Sequence, residues 1–167
     1  TNNVPPDIQS IWYEAETKRS PAEWALRFLW DQDKINVVLS GMSTMEQVVE
    51  NIRIAEEGLA NSLTSDEKNL IEKVKEAYSG RIHASCTGCG YCMPCPSGVD
   101  IPLNLNLLND VYIYQNTEKP SANYKFLKAK GGSASFCIEC CECEEKCTQK
   151  LTIQKYLKET ADTLERD

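Results

Sequence analysis

Nine cysteines carry the chemistry of this chain, and all of them fall between Cys86 and Cys147. They form two runs. The first, Cys86-Thr-Gly-Cys89-Gly-Tyr-Cys92-Met-Pro-Cys95-Pro96, spaces its thiols C-x2-C-x2-C-x2-C-P. The second, Cys137-Ile-Glu-Cys140-Cys141-Glu-Cys143-Glu-Glu-Lys-Cys147, reads C-x2-C-x2-C-x3-C with one extra cysteine inside. Three thiolates at two-residue intervals can wrap one side of a cubane, each reaching a different iron, and the fourth ligand must come from further away. In two-cluster proteins it comes from the other run. That logic gives Cys86, Cys89, Cys92 and Cys147 to one 4Fe-4S cluster and Cys137, Cys140, Cys143 and Cys95 to a second. Gly88 and Gly90 allow close approach of the backbone to inorganic sulfur, and Pro96 directs the chain away from Cys95.

The pattern departs from the common bacterial run in two places. The first run has two residues, not three, before its last cysteine, and Cys147 is followed by Thr148 where a proline is expected. Cys95 is the ligand that the first departure touches. Cys141 has no place in the pattern and is expected to be a buried or spare thiol.

Other thiol chemistries fit less well. Paired CxxC units close four-cysteine zinc sites, but such sites have no use for a third CxxC step in each run. Disulfides meet an odd cysteine count, the adjacent pair Cys140-Cys141 and a chain without a secretory leader. A reducing, cytoplasmic setting is the expectation.

Helices are predicted to position these runs. Ile8, Ile11, Trp12 and Ala15 recur at helical spacing behind Pro5-Pro6. Ser20-Pro21-Ala-Glu23 starts a second helix with a capping box, and Trp24, Phe28 and Leu29 give it an apolar face beside the small Ala25. Ser43 and Glu46 form another box before a face of Met45, Val48, Val49, Ile52 and Ala55. Thr64 and Glu67 form a third before Leu70, Ile71 and Val74, with Gly80 as a stop. Between the cysteine runs, Leu103, Leu107, Leu108 and Val111 mark one helix, and Ser121 caps another holding Tyr124, Phe126 and Leu127. A last helix starts near Ile153 with Tyr156, Leu157, Ala161 and Leu164 on one face. The β-branched run Ile35-Asn-Val-Val-Leu39 reads as the sole strand. A lone strand needs partners on both edges, so the first half reads as a piece of a larger α/β fold.

Composition narrows the function classes. Apolar residues make up 41% of 167, enough for a packed core. The net charge of −7 disfavours a nucleic-acid binder. Residues 1–85 hold nine basic and fourteen acidic side chains, and residues 86–167 nine and eleven, so the cysteine-bearing half carries no strongly one-signed surface by count. No apolar run approaches the ~18 residues of a membrane span.

Two resemblances follow from these residues. The helical spacer between the runs makes residues 82–158 resemble the α-helical ferredoxin domain of succinate dehydrogenase iron–sulfur subunits. Ser20-Pro-Ala-Glu-Trp-Ala-Leu-Arg-Phe-Leu-Trp30, Val37-Val-Leu-Ser-Gly-Met-Ser-Thr-Met-Glu-Gln-Val-Val-Glu-Asn51 and Leu63-Thr-Ser-Asp-Glu67 resemble the end of an aldo-keto reductase barrel. Gly98-Val-Asp-Ile-Pro102, behind the first cysteine run, strengthens the match to a reductase fused to a ferredoxin domain. The implied fold is mainly α: residues 1–80 as the C-terminal fragment of a (β/α)8 barrel (helix, strand, helix, helix), and residues 81–167 as a two-cluster domain of α-helical ferredoxin type.

The reductase resemblance implies a turn that wraps the adenosine phosphate of NADPH, carried over to Gly41, Met42 and Thr44, with Gln47, Glu50 and Asn51 on the following helix. A free helix N-terminus suits a phosphate. Gln47 stands where many members place an arginine, which leaves NADH open as well, and only a full-length barrel would complete the pocket. The family's catalytic tyrosine, lysine, aspartate and histidine have no counterparts here, so no catalytic residue is assigned. His83, the sole histidine, and Trp12, Trp24 and Trp30 read as structural. The expected role is electron transfer through two 4Fe-4S clusters to or from an unidentified redox partner. The alternative is a purely structural metal module. Self-association through the unpaired strand 36–39 is a further expectation.

Overall fold

The structure, a computed structural model, describes residues 4–165. It divides into two compact units, Thr1–Ala77 and Tyr78–Asp167. All regular structure among the described residues is helical: α1 (Pro6–Trp12), α2 (Pro21–Trp30), α3 (Met45–Glu57) and α4 (Ser65–Ser79) in the first unit, then α5 (Ile101–Tyr114), α6 (Glu118–Ala129), α7 (Glu142–Lys146) and α8 (Ile153–Leu164) in the second. The mainly-α expectation holds. The strand expected at 35–39 does not form, and residues 35–43 run as irregular chain. Strand propensity expresses packing on a pleated surface more than a backbone preference. Without a second strand to take up its amides, the run stays open, with Val37 77% and Leu39 95% exposed.

In the first unit the helix starts follow local hydrogen bonding. The Ser20 hydroxyl accepts from the Glu23 amide at 3.0 Å, and Pro21 occupies the first turn. Thr64 and Glu67 complete a reciprocal box, amide to side chain in both directions, at 3.2 and 2.8 Å. The box expected at Ser43 and Glu46 lies one residue on. Thr44 caps α3, accepting from the Gln47 amide, while the Gln47 side chain accepts from the Ser43 amide at 2.8 Å. Thr44-Met-Glu-Gln47 satisfies the same spacing rule, and the extended backbone of Thr44 decides between the two.

Trp24 is the centre of this unit's core, stacked on Trp12 with centroids 5.0 Å apart and packed with Leu63, Leu70 and Ile71. Of the apolar face expected on α3, only Val48 is partly covered, and the buried residue is Ile54. Met45, Val49, Ile52 and Ala55 face solvent, and so does Ala25 on α2. A polar seam replaces part of the expected packing. Glu23 and Arg27 on α2 are both buried. Glu23 accepts from Arg27 Nε and from Arg53 of α3, each at 2.8 Å, and Arg27 also reaches Glu57. Arg19 pairs with Glu67 of α4.

The second unit is built on α5, which packs against α6 and α8. Asp100 caps α5 through the Leu103 amide at 3.1 Å, and Pro102 sits in its first turn. The buried face is Ile101, Leu105, Leu107 and Leu108, so Leu103, expected inside, turns out to be exposed. Tyr124 and Leu127 of α6 are buried and Phe126 is exposed. The start of α6 precedes the expected Ser121 cap: Asn116 accepts from the Glu118 amide at 2.8 Å, and Pro120 occupies the first turn, where its missing amide hydrogen costs little. Gly131, at φ +80, turns the chain out of α6, and the Gly132 amide bonds Leu127 O at 3.1 Å. Ile153, Leu157 and Leu164 of α8 close the core.

The Glu23 seam sets an acid limb to stability. Burial opposes its charge, but Arg53 and Arg27 more than offset this and hold the carboxyl below the ordinary range. The unfolded chain therefore binds the extra proton, and stability rises with pH across that window. Melting followed by circular dichroism should lose stability as pH falls below about 4.3. Glu23→Gln should flatten that limb and cost about 3 kcal/mol at neutral pH, because it strips the buried Arg27 of a partner.

Candidate iron–sulfur site

All nine cysteines are free thiols, and they ring two concavities in the second unit. One is lined by Cys86, Cys89, Cys92 and Cys147. The other is lined by Cys95, Cys137, Cys140 and Cys143, together with Cys92 and Cys141. Each run thus sends its last cysteine across to the other run's group. Cys92 and the buried Ile101 of α5 border both concavities and form the wall they share. Among the described residues no three cysteine, histidine or carboxylate side chains close tightly enough around one point to hold a single metal ion.

The two cysteine loops have the same backbone plan. Gly88 (φ +67) and Gly90 (φ +76) flank Cys89, and Glu139 (φ +55) and Cys141 (φ +66) flank Cys140. The Met93 amide returns to Gly90 O at 2.9 Å, as the Glu144 amide returns to Cys141 O at 3.0 Å. Cys141 therefore stands where the first loop has Gly90. The ninth cysteine, which spacing left unplaced, fills a left-handed position that glycine would take without strain. It is exposed, not buried, and its sulfur accepts from Gln154 Nε2 at 2.9 Å.

The electrostatics follow the same grouping. Burial pushes the Cys92 thiol up, and the nearby Cys86, Cys89 and Cys147 sulfurs add to that. Cys143 is pushed up to about 11 by burial, then by Glu144, with Cys137 contributing. At Cys95 burial also opposes the thiolate, but the Ser97 hydroxyl, 3.3 Å away, and the amides of residues 97–99 bring the thiol below its usual range. Cys89 is lowered by the Tyr91 amide and by Thr148, whose hydroxyl lies 3.9 Å from its sulfur. Thr148, at the position where a proline was expected, is thus a contact between the end of the second run and the first. Thiols that repel one another as anions, inside an apolar frame with converging amides, suit a cationic iron core.

Residues 85–160 match the 4Fe-4S dicluster domain family. This segment is a ferredoxin-like iron–sulfur domain. No curated protein and no solved structure matches the chain. The reductase resemblance of residues 20–80 therefore rests on its sequence motifs alone. Within the iron–sulfur domain, charge is unevenly spread. No charged residue occurs from Cys86 to Val99, whereas Glu139, Glu142, Glu144 and Glu145 crowd the second loop with Lys146 alone against them.

His83 lies just upstream of the first run and is structural in its contacts. Its Nε2 meets Glu159 at 2.9 Å, and its ring stacks on Tyr112 at 4.1 Å. The residues carried over for nucleotide binding lie in the first unit, around the start of α3. Thr44 and Gln47 are engaged in the cap. Glu50 accepts from the Ser20 hydroxyl at 2.6 Å, and Asn51 donates to the Ser40 hydroxyl at 2.8 Å. Gly41 has open space around it, and Met42 is exposed.

Cys141→Gly should leave iron content and the visible spectrum unchanged and alter stability by less than about 1 kcal/mol, since relief of the left-handed strain offsets the freer unfolded chain. Iron analysis with thermal melting checks this.

Proposed function

We propose that the chain is an electron-transfer module holding two 4Fe-4S clusters, one on Cys86, Cys89, Cys92 and Cys147 and one on Cys137, Cys140, Cys143 and Cys95. The observation that carries this reading is the crossed grouping: Cys147 stands with the first run and Cys95 with the second. A bound cluster supplies reversible one-electron chemistry with little geometric change. The chain's part is to hold the thiols, to keep water from their inner side and to direct dipoles at sulfur. Ile101, Leu105, Leu151 and Ile153 line the inner wall around the first group. The hydroxyls of Ser97 and Thr148 lie beside Cys95 and Cys89. A structural metal module is the competing reading, and reversible reduction separates the two.

The same proposal gives the first unit a barrel context. Val37, Leu39, Met45, Val49 and Ile52 leave an apolar face open, as the last strand and helix of a (β/α)8 barrel would without their neighbours. In such a reductase the clusters would exchange single electrons with a partner while a nicotinamide nucleotide, NADP(H) or NAD(H), carried hydride. In this chain alone the open face drives self-association through residues 36–39.

Purified without oxygen, the protein should absorb broadly near ~400 nm, bleach with dithionite and contain about eight irons with matching sulfide. Cys147→Ser and Cys89→Ser should lose the same half of the iron, and Cys95→Ser and Cys140→Ser the other half. A colourless chain with about two zincs would overturn the proposal. Light scattering should show association that Leu39→Asp abolishes, and a monodisperse wild-type monomer would refute the self-association.

A further inference from the structure

We propose that Asn104 and Asn109 of α5 are positioning residues, each fixing the first ligand of one cysteine group through an alanine. This rests on the two-cluster reading above. Both asparagines are buried, at 0% and 9% exposure. Asparagine is a poor residue for a helix interior, so its use at two buried positions of one helix calls for tertiary partners.

Those partners are the segments that lead into the two runs. Asn109 Oδ1 accepts from the amides of His83 and Ala84 at 3.0 and 2.8 Å, and its Nδ2 donates to Ala84 O at 2.8 Å. Ala84 O also accepts from the Cys86 amide at 2.8 Å. On the other side, Asn104 Oδ1 accepts from the Ala134 amide at 2.9 Å, and its Nδ2 donates to Gly132 O at 2.8 Å. Ala134 O in turn accepts from the Cys137 amide at 3.0 Å. The two relays, Asn109–Ala84–Cys86 and Asn104–Ala134–Cys137, have the same form, and both alanines are buried.

Five residues along an α-helix turn the side chain by about 140° and advance it by about 7.5 Å. The two relays therefore leave α5 on different flanks, and a rigid helix, not the loops, sets the distance between the two first ligands. Ile101 of the same helix borders both concavities, so α5 supplies the shared wall as well as both anchors. Each asparagine acts on one thiol group only.

The test compares Asn109→Leu and Asn104→Leu in the full chain, prepared without oxygen. Cluster loss to a chelator is followed near ~400 nm, and the thiols released are identified by iodoacetamide labelling and mass spectrometry. Asn109→Leu leaves the buried Ala84 amide and the part-buried His83 amide without an acceptor. It should speed release of Cys86, Cys89, Cys92 and Cys147 by ~10-fold while the other four stay within ~2-fold of wild type. Asn104→Leu should do the reverse. In the reduced protein each variant should alter the paramagnetic resonance signal of one cluster only. Asn109→Asp and Asn104→Asp, which keep the acceptor and lose the donor, should recover part of the effect, and they decide the matter if a leucine variant fails to load. Release of all eight thiols together in either variant, or no change in either, would overturn the proposal. If the wild type binds no iron, the two-cluster reading fails on its own. Amide exchange in the metal-free chain then tests the anchors: it should rise at residues 83–86 only in Asn109→Leu and at 132–137 only in Asn104→Leu, and a rise at both segments would refute them.

Discussion

Two thiol groups that each borrow a cysteine from the other run impose the constraint on which the iron–sulfur domain depends. Cys147 can join Cys86, Cys89 and Cys92 only if the second loop is folded back on the first, and Cys95 makes the converse demand. Neither thiol group is complete without a cysteine of the other run. A chain with this requirement needs a spacer that returns on itself and a stiff element between the loops. The pair α5 and α6 provides the return, turned at Gly131, and α5 packed on α8 provides the stiffness.

The surroundings of the thiols add a second condition. Burial raises Cys92 and Cys143 while hydroxyls and amides lower Cys89 and Cys95. Cys92, Cys95 and Cys143 are half-buried and Cys89 is exposed, so hydrogen bonding as well as burial separates them. Such an arrangement lets one domain tune two neighbouring sites differently by hydration and hydrogen bonding. The acidic second loop and the uncharged first loop extend the same asymmetry to the surface.

The first unit is held together by different means. Its small core around Trp24 is supplemented by the Glu23–Arg27–Arg53 seam, in which charges that are costly to bury satisfy one another. Outside that core, Val37, Leu39, Met45, Val49 and Ile52 are exposed. In the second unit, by contrast, α5 buries Ile101, Leu105 and Leu107 in one core with α6 and α8.

The cysteine spacing alone set the expectation of iron–sulfur ligation with a crossed fourth ligand, because ligand reach along a chain is a local property. Helix starts at Ser20 and Thr64 were equally local, since a cap is decided within four residues. The placements that failed were those that depend on what lies opposite. Residues 35–39 have strand composition but no neighbouring strand, and Leu103 and Phe126 fit a helical period whose buried side was set by α8 and the cysteine loops. Ser43 gave way to Thr44 because two capping boxes overlap there and only the backbone distinguishes them. Cys141 was unplaceable by counting and became legible once the two loops were seen to share a backbone plan, with its residue in the position of Gly90. Asn104 and Asn109 carry no sequence signal as anchors. A buried asparagine takes its meaning from the amides that the fold brings to it, and only the tertiary structure could supply those.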